Sequence, residues 1–474
     1  MNENEQVSTQ SKLAILATAL LSFVGVLLET SMNVTFPELA KIFNVPLDTI
    51  QWITTGYLLL TTITMSTTAF LLKKFPIKKV FMSAALLFII GDFLSMIAPN
   101  FAILLIGRLI QAGATGLSMP MMYQVIFITV PRRKTGTYVG IASMVISLAP
   151  ALGPTYGGAM SSLLSWRFIF VAVLPIALVT FWIGIKNINI NPLGIKKHFD
   201  FLALALMSIT FFSFVWAANR FGTKGASLIS CIAPIIIGLI TLGLFLRVNN
   251  HGVSQLISFS PMKIPAVSMD AITYMLLMFI NIGISFVIPI YAESVLHVTP
   301  LTAGLILLPG SIVGGITSPI SGMVYDRWGA FKPILTGMLV LTFATFLFSI
   351  SSSWATPVKL TILFTLLRLG INMAFSNTIS NAQANAPLKA SADINSIFNM
   401  LQQYAGSLGT SILASILAIH QNQAHSAGEI VHQTMLGGHV DYTILFVIAV
   451  GITILAFINW HFQTRKGELS GNQE

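Results

Sequence analysis

The feature that most constrains this chain is repetition. Apolar runs of about twenty residues, the length a helix needs to cross a hydrocarbon core of about 30 Å, recur from one end to the other between short polar breaks. The 474 residues are 55% hydrophobic and only 8% charged, against about 25% charged in an ordinary soluble domain. A water-soluble fold has too little interior to hide that much apolar surface, so the bilayer is the solvent this sequence is written for.

Charged, Pro, Gly and Asn breaks place the helices near 13–36, 50–72, 78–98, 101–122, 136–162 and 166–186, then 199–219 and 226–248, then 266–292, 301–324, 331–352, 355–377, 392–420 and 440–462. The expected architecture is an all-α polytopic membrane protein of fourteen spans. Its divisions are a tail 1–12, a six-helix bundle 13–186, two linking helices within 187–265, a second six-helix bundle 266–462 and a tail 463–474. The first apolar block outlasts a signal-peptide core and lacks a small-residue cleavage site, so it reads as a retained helix.

With the N-terminus inside, eighteen of the 25 lysines and arginines fall in inner segments, among them Lys73, Arg132 and Arg133, and five in outer loops. This asymmetry predicts a cell-membrane protein with both termini cytoplasmic. The net charge of +10 is spread over short loops instead of one face, which argues against nucleic-acid binding. Cys231 is the single cysteine, so no intrachain disulfide can form. No phosphate-cradling Gly-x-x-x-x-Gly-Lys-Ser/Thr loop, nucleophile triad or zinc signature is present, and no cofactor or enzymatic role is expected. His420, His425, His432 and His439 recur around the last outer loop, but their spacing matches no ligand pattern.

The two six-helix sets echo each other. Arg108-Leu109-Ile110-Gln111 in the fourth helix is answered by Arg368-Leu369-Gly370, 260 residues on (368 − 108). Paired halves around a midplane site are the plan of many secondary transporters.

Several stretches resemble the major facilitator superfamily, and within it the fourteen-helix drug:proton antiporters, over nearly the whole chain. Gly153-Pro154-Thr155-Tyr156-Gly157-Gly158 matches the antiporter motif, with Ser165-Trp166-Arg167-Phe168 and Pro175 following. Gly107-Arg108-Leu109-Ile110-Gln111-Ala112-Gly113 matches the fourth-helix motif whose arginine the family links to proton coupling. Gly322-Met323-Val324-Tyr325-Asp326-Arg327-Trp328-Gly329 resembles the gating-loop motif, while the first-half loop, Ala69 to Phe75, lacks the usual glycine and aspartate. Relatives carry an acid nine residues before a proline in the first helix; here that position is Leu28, and the role passes to Glu29 beside it.

An ionised side chain near the bilayer centre costs about 2.5–3.5 kcal/mol on insertion scales, so each needs a reason to be there. Apolar surroundings favour the protonated form of a carboxyl and a neighbouring guanidinium the ionised form; an acid moved between them takes up and releases a proton. Glu29, Asp92 and Arg108 are the coupling candidates. The structural alternatives are a carboxyl that only balances Arg108, an ion-paired Asp92, and an arginine that bridges helices. Asp270 and Asp393 read as water-boundary acids near helix ends. Glu29 and Asn33, four apart, and Arg108 and Gln111, three apart, share helical faces and are expected to face the cavity. Trp52, Tyr57, Met119, Met122, Tyr123, Tyr274, Asn281 and Tyr291 can line a broad cavity, since rings attract organic cations and methionine adapts, or can equally be core or interfacial residues. The substrate-binding set is Glu29, Asn33, Trp52, Tyr57, Gln111, Met119, Tyr123, Asn281 and Arg368. Pro150, Gly153, Pro154, Gly157 and Gly158 give the fifth helix a smooth, kinkable face and, with Gly322, Asp326, Arg327 and Gly329, form the expected gating set.

The function so implied is export of lipophilic or cationic compounds in exchange for protons by alternating access, by a chain acting as a monomer. The alternative is a proton-coupled transporter of one physiological solute, a lipid, osmolyte or amino acid. A lipid-active membrane enzyme and a gated channel lack, respectively, a catalytic cluster and a filter-like segment.

Overall fold

The computed structural model describes residues 7–190, 199–251, 255–351, 355–387, 390–424 and 426–471. His425 and the side chains of Lys73, Arg132, Arg133 and Asp326 lie outside them.

Among the described residues fourteen long helices follow one another, labelled here α1 to α14. They are Thr9–Ser31, Trp52–Lys74, Ile77–Met96, Phe101–Thr129, Arg132–Leu163 and Leu174–Asn187; then Phe201–Gly222 and Leu228–His251; then Pro265–Val295, Pro300–Trp328, Phe331–Ser349, Pro357–Ala384, Ser391–Gln421 and Ala427–Gly471. Twelve helical stretches among the described residues are long and apolar enough to cross a membrane. The remaining two, α5 and α13, run 32 and 31 residues but carry more Ser, Thr, Gly, Asn and Gln. Their helical form pairs the interior backbone groups within the segment, which is what a bilayer without water demands of a spanning element.

Two boundaries differ from the sequence reading, each for a local reason. The first helix stops at Ser31; Met32–Thr35 is a 3₁₀ turn and a new helix runs Phe36–Phe43. Pro37 lies at its first turn, where its missing N–H costs nothing, whereas an unbroken helix would press the ring against the carbonyl of Asn33. The last helix starts at Ala427, not near 440. Its first turns stay helical because Ser426 Oγ accepts from the Glu429 N–H at 3.3 Å and buried Thr434 receives Gln421 Nε2 at 2.9 Å. His432 and His439 are therefore helical residues on exposed positions.

The chain forms two compact units. The first holds Met1–Phe214, Pro234–Leu256 and Thr299–Gly304; the second holds Val215–Ala233, Ile257–Val298 and Leu305–Glu474. The two extra helices, α7 and α8, are shared between them. In the first unit α4 is the central element, packed on α3, α2 and α1; in the second, α9 packs on α13, α14 and α12.

Both units close one helix pair in the same way. A Cβ on Gly91 of α3 would meet the Gly107 carbonyl of α4 at 2.6 Å, and one on Gly107 would meet the Gly91 carbonyl at 2.8 Å; Gly337 of α11 and Gly370 of α12 repeat this at 2.7 and 2.8 Å. Backbones this close admit only hydrogen at the contact. The repeat visible at Arg108 and Arg368 is thus also a repeat of packing. Apolar side chains left outside, such as Ile229 at 79% exposed and Leu239 at 58%, mark the lipid-facing surface.

Candidate functional site

The first unit buries a chain of polar side chains that runs across three helices. Arg108 projects from α4 and is fully buried. Its Nη1 donates to Gln111 Oε1 at 2.8 Å, one turn along the same helix, and its Nη2 donates to the Leu28 carbonyl of α1 at 3.3 Å. The guanidinium lies 4.2 Å from the centroid of the Tyr57 ring of α2, a cation–π contact worth about 2 kcal/mol when desolvated. Gln111 spends its other end on α3, donating from Nε2 to Asp92 Oδ1 at 2.9 Å. Tyr57 in turn donates its hydroxyl to the Gly25 carbonyl at 3.0 Å and sits 2.6 Å from Thr115 Oγ1.

Asp92 is fully buried and Glu29 is 6% exposed. Glu29 occupies α1 immediately after the Leu28 carbonyl held by Arg108, so α1, α3 and α4 each bring one coupling candidate into the same unit. A side-chain amide between acid and base joins them without direct contact. Such an amide donates to the carboxyl and accepts from the guanidinium at once, so it orients both.

The remaining sequence candidates divide between this chain and other places. Asn33, on the 3₁₀ turn, accepts from Thr54 Oγ1 at 2.9 Å and is buried. Trp52 lies 6.1 Å from Phe212 of α7. Met119 and Tyr123 are half-buried on α4. Tyr274 and Met122 belong to packed cores, Tyr274 donating to Gln402 Oε1 at 2.7 Å and stacked against Phe375 at 5.1 Å. In the second unit Arg368 of α12 donates to Asn281 Oδ1 of α9, so two candidate binding residues hold each other.

The antiporter-motif glycines serve close packing within the first unit. A Cβ on Gly153 would strike the Thr30 side chain, and one on Gly157 the Ser31 carbonyl, both of α1. Gly158 lies against the Pro300 carbonyl at the start of α10, and Gly304 against that of Pro154. Tyr156 donates to the Ile169 carbonyl at 2.7 Å. Pro150 is half-buried and Pro154 buried on this helix. In the gating-loop motif, Gly329 ends α10 at φ +79° with an N–H to the Tyr325 carbonyl at 2.8 Å, Gly322 has open space around it, and Arg327 is exposed.

Sequence reasoning missed a second polar cluster. Asp270 of α9, read as a water-boundary acid, is 4% exposed. Its oxygens accept from Asn381 Nδ2 of α12 at 2.7 Å and Asn459 Nδ2 of α14 at 2.8 Å, and Asn459 Oδ1 receives Gln463 Nε2 at 3.0 Å. Acid and amides lie far apart in sequence on apolar helices, and only the shared polarity of those isolated positions hints at their meeting. Among the described residues no group of three or more His, Cys, Asp or Glu is placed to hold a metal ion.

A many-helix membrane fold with a buried arginine–amide–acid chain defines a solute carrier by its plan. The Major Facilitator Superfamily model matches residues 18–410, and the chain belongs to that superfamily of transporters. It is similar to the lincomycin resistance protein LmrB of Bacillus subtilis, 31% identical over 95% of both chains, and to the Listeria innocua protein of the same name, 30% identical over 86% of this chain and 87% of that one. A multidrug resistance protein B homolog of Mycobacterium tuberculosis is 25% identical over 79% of this chain and 70% of the relative. Among solved structures, a bacterial homolog of the human lysosomal transporter Spinster, inward-facing and occupied, superposes with a TM-score of 0.64 at 12% identity, covering 96% and 98% of the two chains. The peptide transporter POT in complex with sulfate gives 0.65 at 14%, covering 93% and 95%. These structural likenesses support the fold.

Proposed function

We propose that this protein exports lipophilic, often cationic compounds from the cytoplasm in exchange for protons, by alternating access, as a monomer in the cell membrane with both termini cytoplasmic. The observation that carries the reading is the Asp92–Gln111–Arg108 chain, buried in α3 and α4 beside Glu29 of α1. The names of the relatives, resistance proteins for lincomycin and for multiple drugs, support a drug-like substrate.

The chain's own residues suit a proton exchange. Arg108 holds a fixed positive charge, since a guanidinium stays protonated, and favours an ionised acid near it. Separation of Asp92 or Glu29 from that charge favours proton uptake. A bound organic cation then competes with the proton for the same carboxylate, which makes the two mutually exclusive and couples their fluxes. Each proton moving down the membrane potential supplies about 2.3 kcal/mol per 100 mV, and no nucleotide site is needed.

Proteoliposomes test this with a fluorescent lipophilic cation and an imposed pH gradient. Gradient-driven transport in the wild type, lost in Asp92→Asn or Glu29→Gln, is the expected result. Substrate flux in wild-type protein that ignores the gradient overturns proton coupling; flux of one physiological solute and of no drug overturns the substrate class.

A further inference from the structure

Near the end of α9, against the interior of α14, the second unit packs a carboxyl that the exchange scheme above does not use. Asp441 of α14 is 0% exposed, and neither carboxyl oxygen has a hydrogen-bond partner among the described residues. The hydroxyls of its neighbour Tyr442 and of Tyr291 on α9 are buried without partners too. The rings of Tyr291 and Tyr442 lie 5.9 Å apart, and Phe348 of α11 closes on Tyr442 at 5.1 Å.

The face on which Asp441 sits follows from the turn before it. A Cβ on Gly437 would meet Leu417 of α13 at 3.2 Å, and one on Gly438 would meet the Tyr291 ring at 2.7 Å. Asp441, four and three residues on, shares that face and is turned toward α13 and α9. Titratable groups on these elements within a few turns of Asp441 are few. Tyr291 and Glu293 come from α9; His420, whose Nδ1 is 2.9 Å from its own helix carbonyl at Ile416, comes from α13; α11 contributes Phe348 and no ionisable group at this level; Tyr442 and exposed His439 come from α14 itself.

An ionised carboxylate without a donor or cation is among the costliest groups to bury, and inside a membrane protein it marks a working residue by default. Tyr442 and Phe348 are 0% exposed and Tyr291 is 1% exposed. Packing this dense leaves a proton as the cation that fits; an organic cation is too large.

We propose that Asp441 is a proton-binding site of the second unit: its carboxyl carries a proton while α14 is packed on α9 and α13, and releases it when that face opens. The inference rests on the proton-exchange reading and adds to it a proton step independent of Asp92 and Glu29.

Infrared difference spectra of the reconstituted full-length protein, taken between acidic and alkaline buffer, read protonated carboxyls directly. Loss of one carbonyl-stretch band in Asp441→Asn but not in Asp92→Asn, with fewer protons moved per substrate, is the expected outcome. A spectrum unchanged by Asp441→Asn overturns the proposal, as does a lost band with proton-to-substrate ratio and pH response unaltered. Should that variant fail to fold, Asp441→Glu substitutes: a displaced carbonyl-stretch band supports a protonated carboxyl at this position, and a spectrum identical to wild type overturns it. Substrate transport by the wild type with no linked proton movement removes the exchange reading, and the infrared band then still decides whether Asp441 binds a proton.

Discussion

Gln111 donates to Asp92 at 2.9 Å with the same side-chain amide whose oxygen receives Arg108 at 2.8 Å, so neither the acid nor the base can shift without the other being told. Replacement of Gln111 by Leu keeps the volume and removes the link. A buried carboxyl that loses its donor costs about 1–3 kcal/mol, so the melting temperature of the detergent-solubilised protein is expected to fall. Proton-driven transport is expected to drop at least about tenfold, the equivalent of 1.4 kcal/mol. Normal transport with normal thermal stability would remove the amide from the mechanism.

Tyr57 makes two separable contributions to Arg108. The ring carries the guanidinium at 4.2 Å, and the hydroxyl anchors to Gly25. Tyr57→Phe keeps the ring and is expected to lose about 1 kcal/mol of stability with substantial transport retained. Tyr57→Leu is expected to abolish gradient-driven transport. Equal activity of the two variants, measured side by side in vesicles, would contradict a cation–π role.

Arginine at 108 is not exchangeable for lysine, because Nη1 and Nη2 serve different partners, Gln111 and the Leu28 carbonyl. A single ammonium cannot reproduce that planar fork. Arg108→Lys is therefore expected to transport as poorly as Arg108→Ala in the same vesicle assay. Recovery of even a third of wild-type flux by lysine would show that charge alone suffices.

The glycines are expected to sort by what a methyl group would meet. Gly157→Ala and Gly107→Ala drive a Cβ into backbone, and both are expected to fold poorly or lose thermal stability by several degrees in a fluorescence-detected melt. Gly322 and Gly113 have nothing within 4 Å, and alanine there is expected to be neutral or to stabilise by about 0.5–1 kcal/mol through helix propensity.

Removal of the Asp270 side chain strands two buried amides, Asn381 and Asn459. Asp270→Ala is expected to cost more than about 2 kcal/mol, whereas Asp270→Asn, which still offers an acceptor, is expected to cost less. Chemical denaturation of the two variants in matched micelles decides between them.

The spans were legible because length and apolarity suffice to name a membrane helix; α3, α4 and α9 begin within a residue of where the breaks put them. The buried arginine chain was legible in part, since Arg108 and Gln111 are one turn apart and stand out against apolar neighbours. Asp441 and the Asp270 cluster were not. In a helix apolar on all faces, periodicity does not tell which side meets protein and which meets lipid, so an isolated acid gives no sign of its depth or partners. The start of α14 was hidden for the opposite reason: Gln433, Thr434 and His432 look like loop residues until the packing on α13 is seen.

Two pairs of glycines, Gly91 with Gly107 and Gly337 with Gly370, press helix backbones together in each unit. Where backbone meets backbone there is no side chain between the helices to rotate or repack, and a shift there must move both helices. In any cycle that this transporter performs, α3 and α4 are held together at that seam, as are α11 and α12, and the bending falls to stretches with an internal proline away from it, such as Pro150 and Pro154 of α5 and Pro309 and Pro319 of α10.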